Sequence, residues 1–149
     1  MRNYRMMDIE KDFEKTLDLF LEVFTAEPWN DKWESREHAK DYLMDFVNTP
    51  GFLGFIAEED DKIIGASFGH VTRFWIGKQY LINEFFISGN LQGKGYGTQL
   101  VDFIKQHCLK ENYKYILLNT DRETPAEFFY KKLGFEERSD EIFFYLSIE

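Results

Sequence analysis

The spacing of apolar residues changes partway along the chain, from a helical period to a period of two and back. Phe13, Leu17, Phe20 and Phe24 recur at helical spacing and predict a helix near residues 11 to 25. Pro28 and Asn30 interrupt that pattern. Ser35 then stands where an N-cap belongs, ahead of Ala39, Tyr42, Leu43 and Phe46 on one face of a second helix, and Asn48-Thr49-Pro50-Gly51 ends it. From Phe52 to Glu58 the period is two, as in a strand. Glu59-Asp60-Asp61 reads as a turn and Lys62 to Phe74 as the returning strand of a hairpin. After a further turn at Trp75-Ile76-Gly77-Lys78, Tyr80 to Ser88 is a strongly apolar strand.

A glycine-rich loop follows, and the helical period returns with Leu100, Ile104 and Cys108. Tyr115 to Thr120 predicts a short buried strand. The next helix is punctuated at both ends: Thr124 and Glu127 form a capping box, Pro125 takes the first helical position, and Gly134 follows the last turn. Phe135 to Arg138 and Ile142 to Ile148 read as two closing strands. The predicted order is ααβββαβαββ, a single α/β domain over residues 1–149 with a mixed sheet.

Composition narrows the picture. With 149 residues, 44% of them apolar and 18% aromatic, the chain can bury a substantial core, which excludes disorder. The formal net charge of -9 argues against a nucleic-acid partner and favours a cationic one. Cys108 is the one cysteine, so no internal disulfide forms. The charged start Met1-Arg2-Asn3-Tyr4-Arg5 has no apolar segment behind it, and no run approaches the roughly 20 apolar residues that span a bilayer. The expectation is a cytoplasmic protein with no membrane partner, a monomer or homodimer.

The most informative stretch is Gln92-Gly93-Lys94-Gly95-Tyr96-Gly97-Thr98, between a strand and a helix. Glycines at this spacing let the backbone turn tightly and let a ligand approach closely. The helix beginning there adds free N–H groups and the positive end of its dipole, so the segment suits a phosphate. It fits neither the P-loop spacing nor the dinucleotide pattern Gly-x-Gly-x-x-Gly.

Gln92, Gly95 and Gly97 resemble the Gln/Arg-x-x-Gly-x-Gly/Ala motif of the GNAT superfamily of N-acetyltransferases. Ala126, Tyr130 and Gly134-Phe135 are similar to that family's downstream helix and the strand after it. The resemblance implies a mixed, mostly antiparallel sheet flanked by helices, with acetyl-CoA as donor and a primary amine as acceptor. It implies that Gln92, Gly93, Lys94, Gly95, Tyr96, Gly97 and Thr98 hold the pyrophosphate. It also implies that the backbone at Phe86 and Ile87 pairs with the pantetheine arm. One position departs from the family: Glu123 stands where an asparagine often helps bind that arm.

Transfer to an amine requires removal of the ammonium proton, stabilisation of the developing oxyanion and protonation of the departing thiolate. Glu84 sits in an apolar strand, on the face of Ile82 and Phe86 by simple alternation, where burial would raise its pKa toward that of a neutral-pH base. Tyr130 matches the family's acid. Trp29 and Trp33, with Glu84, are the candidate acceptor contacts. His38, His70 and His107 form no metal-ligand pattern, and Cys108 has core spacing. Similarity to some aminoglycoside acetyltransferases extends to the ending Gly134-Phe135-Glu136-Glu137. A small cationic acceptor such as an aminoglycoside or polyamine is expected. Protein amino groups, and a non-catalytic acyl-CoA sensor, are the alternatives.

Overall fold

A computed structural model describes residues 1–149. Residues 1–119 and residues 120–149 form two compact units.

The first unit begins with a strand that periodicity misses. β1 (Arg2–Met6) pairs antiparallel with β2 (Phe52–Glu59) at the edge of the sheet. An edge strand needs few apolar residues, and polar or charged side chains there discourage unwanted pairing. Arg5 of β1 donates to Asp12 Oδ2 at 2.7 Å and to Glu58 Oε1 at 3.2 Å, which ties β1 to the first helix and to β2.

Helix α1 (Ile9–Phe24) is capped by Asp8, and α2 (Arg36–Val47) by Ser35, whose hydroxyl accepts from the His38 N–H at 3.0 Å. β3 (Lys62–Phe74) and β4 (Gly77–Ile87) form the long hairpin, α3 covers Tyr96–Lys110, and β5 is Tyr115–Leu117. The sheet order is β1-β2-β3-β4-β5. All pairs are antiparallel except β4 with β5, so the sheet is mixed and mostly antiparallel, as expected. β5 stops three residues short of the predicted end, because its pairing with β4 ends at Leu81 and Leu117.

Two cores lie on opposite faces. Phe13, Leu17, Phe20, Ala39, Leu43, Phe68 and Phe86 pack under α1 and α2. Phe55, Tyr80, Ile82, Ile87, Leu100 and Ile104 pack under α3. Leu17, Leu43, Phe55 and Leu100 are fully buried, and large apolar side chains of this kind each contribute about 1.5–3 kcal/mol.

A β-bulge in β4 corrects one expectation. Phe68 pairs with Glu84 but its neighbour Gly69 pairs with Ile82, which leaves Asn83 as an extra residue. The extra residue breaks the alternation. Tyr80 and Ile82 therefore join the α3 face while Phe86 joins the α1/α2 face, and Glu84 shares the face of Phe86 but not that of Ile82.

In the second unit, Thr124 caps α4 (Pro125–Lys132) and accepts from the Glu127 N–H, while the Glu127 carboxylate reaches back to the Glu123 N–H. The helix ends in a Schellman arrangement. Gly134 at φ +96° donates to the Lys131 carbonyl, and Phe135 donates to the Tyr130 carbonyl, each at 3.0 Å. Within this unit, residues 135–138 and 142–148, predicted as two closing strands, form no strand pair with each other. Alternation marks a segment that could pair, but a strand forms only where another backbone meets it.

Candidate active site

β4 supplies the framework of the site. Its pairing with β5 covers Gln79, Tyr80 and Leu81, while its pairing with β3 continues to Ile87. Main-chain N–H and C=O groups along a strand edge can bind an extended ligand by hydrogen bonds. The side chains of Phe86 and Ile87 are buried, so these residues can serve a ligand only through that backbone edge.

The strand runs through Ser88 and a single 3₁₀ turn (Gly89–Leu91) into the glycine loop. Gln92 Nε2 donates to the Ile87 carbonyl at 3.1 Å and folds the loop back on the end of β4. Gly93 and Gly95 have φ of +81° and +89°, a conformation that costs a side-chain-bearing residue roughly 1–2 kcal/mol. Gly95 is the N-cap of α3 and offers no side-chain cap. The first backbone bond of the helix runs from the Gln99 N–H to the Gly95 carbonyl, leaving earlier N–H groups of the turn free of the helical ladder. Lys94 and Thr98 are exposed and Gly97 half-buried. Tyr96 differs from its neighbours. Its ring is buried in the α3 core and its hydroxyl donates to Glu59 Oε2 at 2.9 Å, so only its main chain is available to a ligand.

Glu84 projects under α2, where its Oε2 accepts a 2.9 Å hydrogen bond from the Tyr42 hydroxyl. Burial pushes the Glu84 carboxyl above its usual pKa; the Tyr42 hydrogen bond opposes that rise and Asp31 adds to it. Burial and the Glu84 charge likewise raise the Tyr42 phenol, which stays protonated as the donor. In the sequence, Tyr42 marks only the apolar face of the second helix. Nothing in local sequence links it to a strand 42 positions away.

The two tryptophans border the same aromatic cluster. Trp33 lies 5.1 Å from the Tyr42 ring and 5.5 Å from Phe20, while Trp29 lies 5.6 Å from Phe24, itself 5.7 Å from Phe86. Trp33 Nε1 is buried without a hydrogen-bond partner, a donor that a water or a ligand oxygen would satisfy. Beside Glu84, Asn83 Oδ1 lies 3.0 Å from His70 Nδ1. Of the other histidines, His38 packs on Trp33, and His107 lies away from the site on Phe55 and Tyr113. Burial pushes the Cys108 thiol up to about 11, which leaves it unreactive as a nucleophile. In the second unit, Tyr130 is half-buried, with its ring 5.1 Å from Phe129 and 5.4 Å from Phe135.

A half-buried carboxylate with raised proton affinity, the end of β4 and a glycine-rich helix N-terminus therefore follow one another along a single stretch of chain. The arrangement can accept a proton at one end and hold an anion at the other.

The model of the acetyltransferase (GNAT) family matches residues 9–135. No curated protein sequence is significantly similar to the chain. Among solved structures, an integron cassette protein from the mobile metagenome of V. cholerae superposes with a TM-score of 0.81 at 20% identity, covering 98% of this chain and 92% of that one. An aminoglycoside acetyltransferase from an uncultured soil metagenomic sample, crystallised with sisomicin, gives 0.75 at 18% identity over 99% and 97%. The aminoglycoside acetyltransferase AAC(6')-Iy, bound to a bisubstrate analogue that joins CoA to acetylneamine, gives 0.73 at 17% over 99% and 98%.

Proposed function

Because the chain belongs to the acetyltransferase (GNAT) family, we propose that it transfers the acetyl group of acetyl-CoA to a primary amine, with residues 1–149 working as one acetyltransferase domain. The thioester of the donor is already activated, so the protein needs no nucleophile of its own. Glu84 takes the proton from the acceptor ammonium, and its raised pKa suits that task near neutrality. The backbone edge at Phe86 and Ile87 holds the pantetheine arm and polarises the carbonyl. The main chain of Gln92 to Thr98, with Lys94, receives the pyrophosphate. Tyr130 returns a proton to the thiolate as the new C–N bond replaces the C–S bond. Glu123, in place of the family's frequent asparagine, adds no amide contact to the arm.

The observation that carries this reading is the β4 bulge. It turns Glu84 toward Tyr42 on the same strand that leads into the glycine loop.

The acceptor in this reading is a small cationic amine, such as an aminoglycoside or polyamine, held by Trp29, Trp33 and Glu84. Support comes from the acidic loop carrying Glu27, Asp31 and Glu34, and from the aminoglycoside enzymes among the similar structures. The absence of any helix long and apolar enough to cross a membrane accords with a cytoplasmic location.

The test is a screen of amines against acetyl-CoA with a free-thiol readout, beside calorimetry with CoA. Amine-dependent thiol release supports the enzyme. CoA binding with no release for any amine would favour a sensor module, and no CoA binding would remove both readings.

A further inference from the structure

Arg2 opens the strand that sequence periodicity overlooked, in register with Glu59 of β2. Its long side chain crosses to the start of α3. Nη2 donates to the Lys94 carbonyl at 3.0 Å, Nη1 donates to Gln99 Oε1 at 3.1 Å, and the guanidinium carbon lies 3.9 Å from the centre of the Tyr96 ring. The platform beneath it is fixed. Tyr96 is buried and hydrogen-bonded to Glu59, and the Tyr4 hydroxyl donates to the same Gln99 oxygen. A Cβ on Gly95 would sit 3.6 Å from Nη1, so the guanidinium rests directly against the glycine loop.

Two features of this contact are unusual for a merely structural arginine. Both hydrogen-bond acceptors are neutral, a main-chain carbonyl and a side-chain amide oxygen. The cation also stands at the positive end of the α3 dipole, where a negative charge would be favoured. An anion at the loop would relieve that repulsion. The hold on Lys94 also has a geometric effect. In a trans peptide the C=O and N–H point in opposite directions, so drawing the Lys94 carbonyl toward Arg2 turns the Gly95 N–H away from the guanidinium and fixes its direction.

We propose that Arg2 is a positioning residue for the phosphate-binding loop: it sets the orientation of the 94–95 peptide and adds positive potential at the N-terminus of α3. This rests on the reading of residues 92–98 as the pyrophosphate cradle. The guanidinium need not touch the ligand, since its effect runs through Lys94, Gly95 and Gln99. An ammonium could restore the charge but not the planar fork that spans both acceptors.

The experiment compares wild type with Arg2→Met, Arg2→Lys and Gln99→Met. Dissociation constants for CoA are measured by calorimetry, melting temperatures by circular dichroism, and kinetics with acetyl-CoA and with acetyl-pantetheine, which has no pyrophosphate. Arg2→Met is expected to weaken CoA binding and raise the acetyl-CoA KM about tenfold, since a charge-assisted hydrogen bond is lost from an ordered loop. Saturated kcat and kcat/KM for acetyl-pantetheine stay at wild-type values, and Arg2→Lys recovers part of the loss. Gln99→Met, which removes one of the two acceptors, shifts CoA affinity in the same direction by a smaller factor. Unchanged CoA affinity in Arg2→Met, or an equal loss with acetyl-pantetheine, would overturn the role of Arg2 alone. Failure of the wild-type protein to bind CoA would overturn the cradle reading as well.

Discussion

The Tyr42 hydroxyl donates to Glu84 Oε2 at 2.9 Å, joining α2 to the bulged part of β4. The hydrogen bond stabilises the charged form of a carboxylate that burial otherwise pushes toward its neutral form. Tyr42 thus limits how far the Glu84 pKa rises and fixes where the carboxylate points.

Tyr42→Phe removes that donor and lets the Glu84 pKa climb further. With Glu84 as the base, the acidic limb of the kcat/KM profile moves to higher pH in the variant. Rate–pH profiles of both proteins with one amine check this. A limb that stays in place, or moves to lower pH, would separate Tyr42 from the titration of the base.

Glu84→Gln keeps the shape of the side chain and removes the proton acceptor. Turnover near pH 7 should fall by about 10²–10⁴, with CoA affinity unchanged. The deficit narrows at higher pH, where more of the free amine is already neutral. Wild-type turnover at pH 7 would demote Glu84 to a structural carboxylate.

The same substitution has an opposite effect on stability. The folded-state pKa of Glu84 lies above the ordinary carboxyl value of 4.5, so its contribution is complete below 4.5 and is lost as pH rises through the folded value. A glutamine does not titrate and keeps that contribution. Glu84→Gln should therefore melt higher than wild type at neutral pH, with the difference closing toward pH 4. Thermal melts at several pH values test the sign.

Gly95→Val forces a β-branched residue into φ +89° at the N-cap of α3 and sets a side chain against Arg2. CoA affinity should drop at least about tenfold, because roughly 1–2 kcal/mol of backbone strain distorts the loop even before any clash with a phosphate. Gly89→Ala is the control. No atom lies within 4 Å of a Cβ built there, and CoA binding should not change.

Net charge bears on the acceptor. If a cationic amine is drawn by the acidic surface, kcat/KM at saturating acetyl-CoA falls with added salt, as the Debye length shrinks from about 10 Å at 0.1 M to about 3 Å at 1 M. Neutral amines should show little of this. Equal salt responses for cationic and neutral amines would remove steering from the account, while the assignment of the donor would stand.

The amino-acid sequence determined whatever depends on near neighbours. The helix caps at Ser35 and Thr124 and the glycine loop act within a few positions, and the structure forms them where the pattern puts them, whereas the predicted turn from Trp75 to Lys78 shortens to Trp75 and Ile76 because Gly77 and Lys78 pair with β3. The apolar stripes identified which faces are buried for the same reason, since a helix or strand repeats its own geometry locally.

Tertiary structure decided the rest. β1 is held by pairing with β2 and by Arg5, not by an apolar pattern of its own. The two predicted closing strands have that pattern but form no pair with each other. The bulge at Asn83 exists only in the register of β4 against β3, and it reverses the face on which simple alternation groups Glu84 with Ile82. The contacts of Tyr42 with Glu84 and of Arg2 with Lys94 join positions 42 and 92 residues apart. Periodicity reports the geometry of one segment at a time, whereas register, bulges and cross-chain hydrogen bonds are properties of two segments brought together by the core between them.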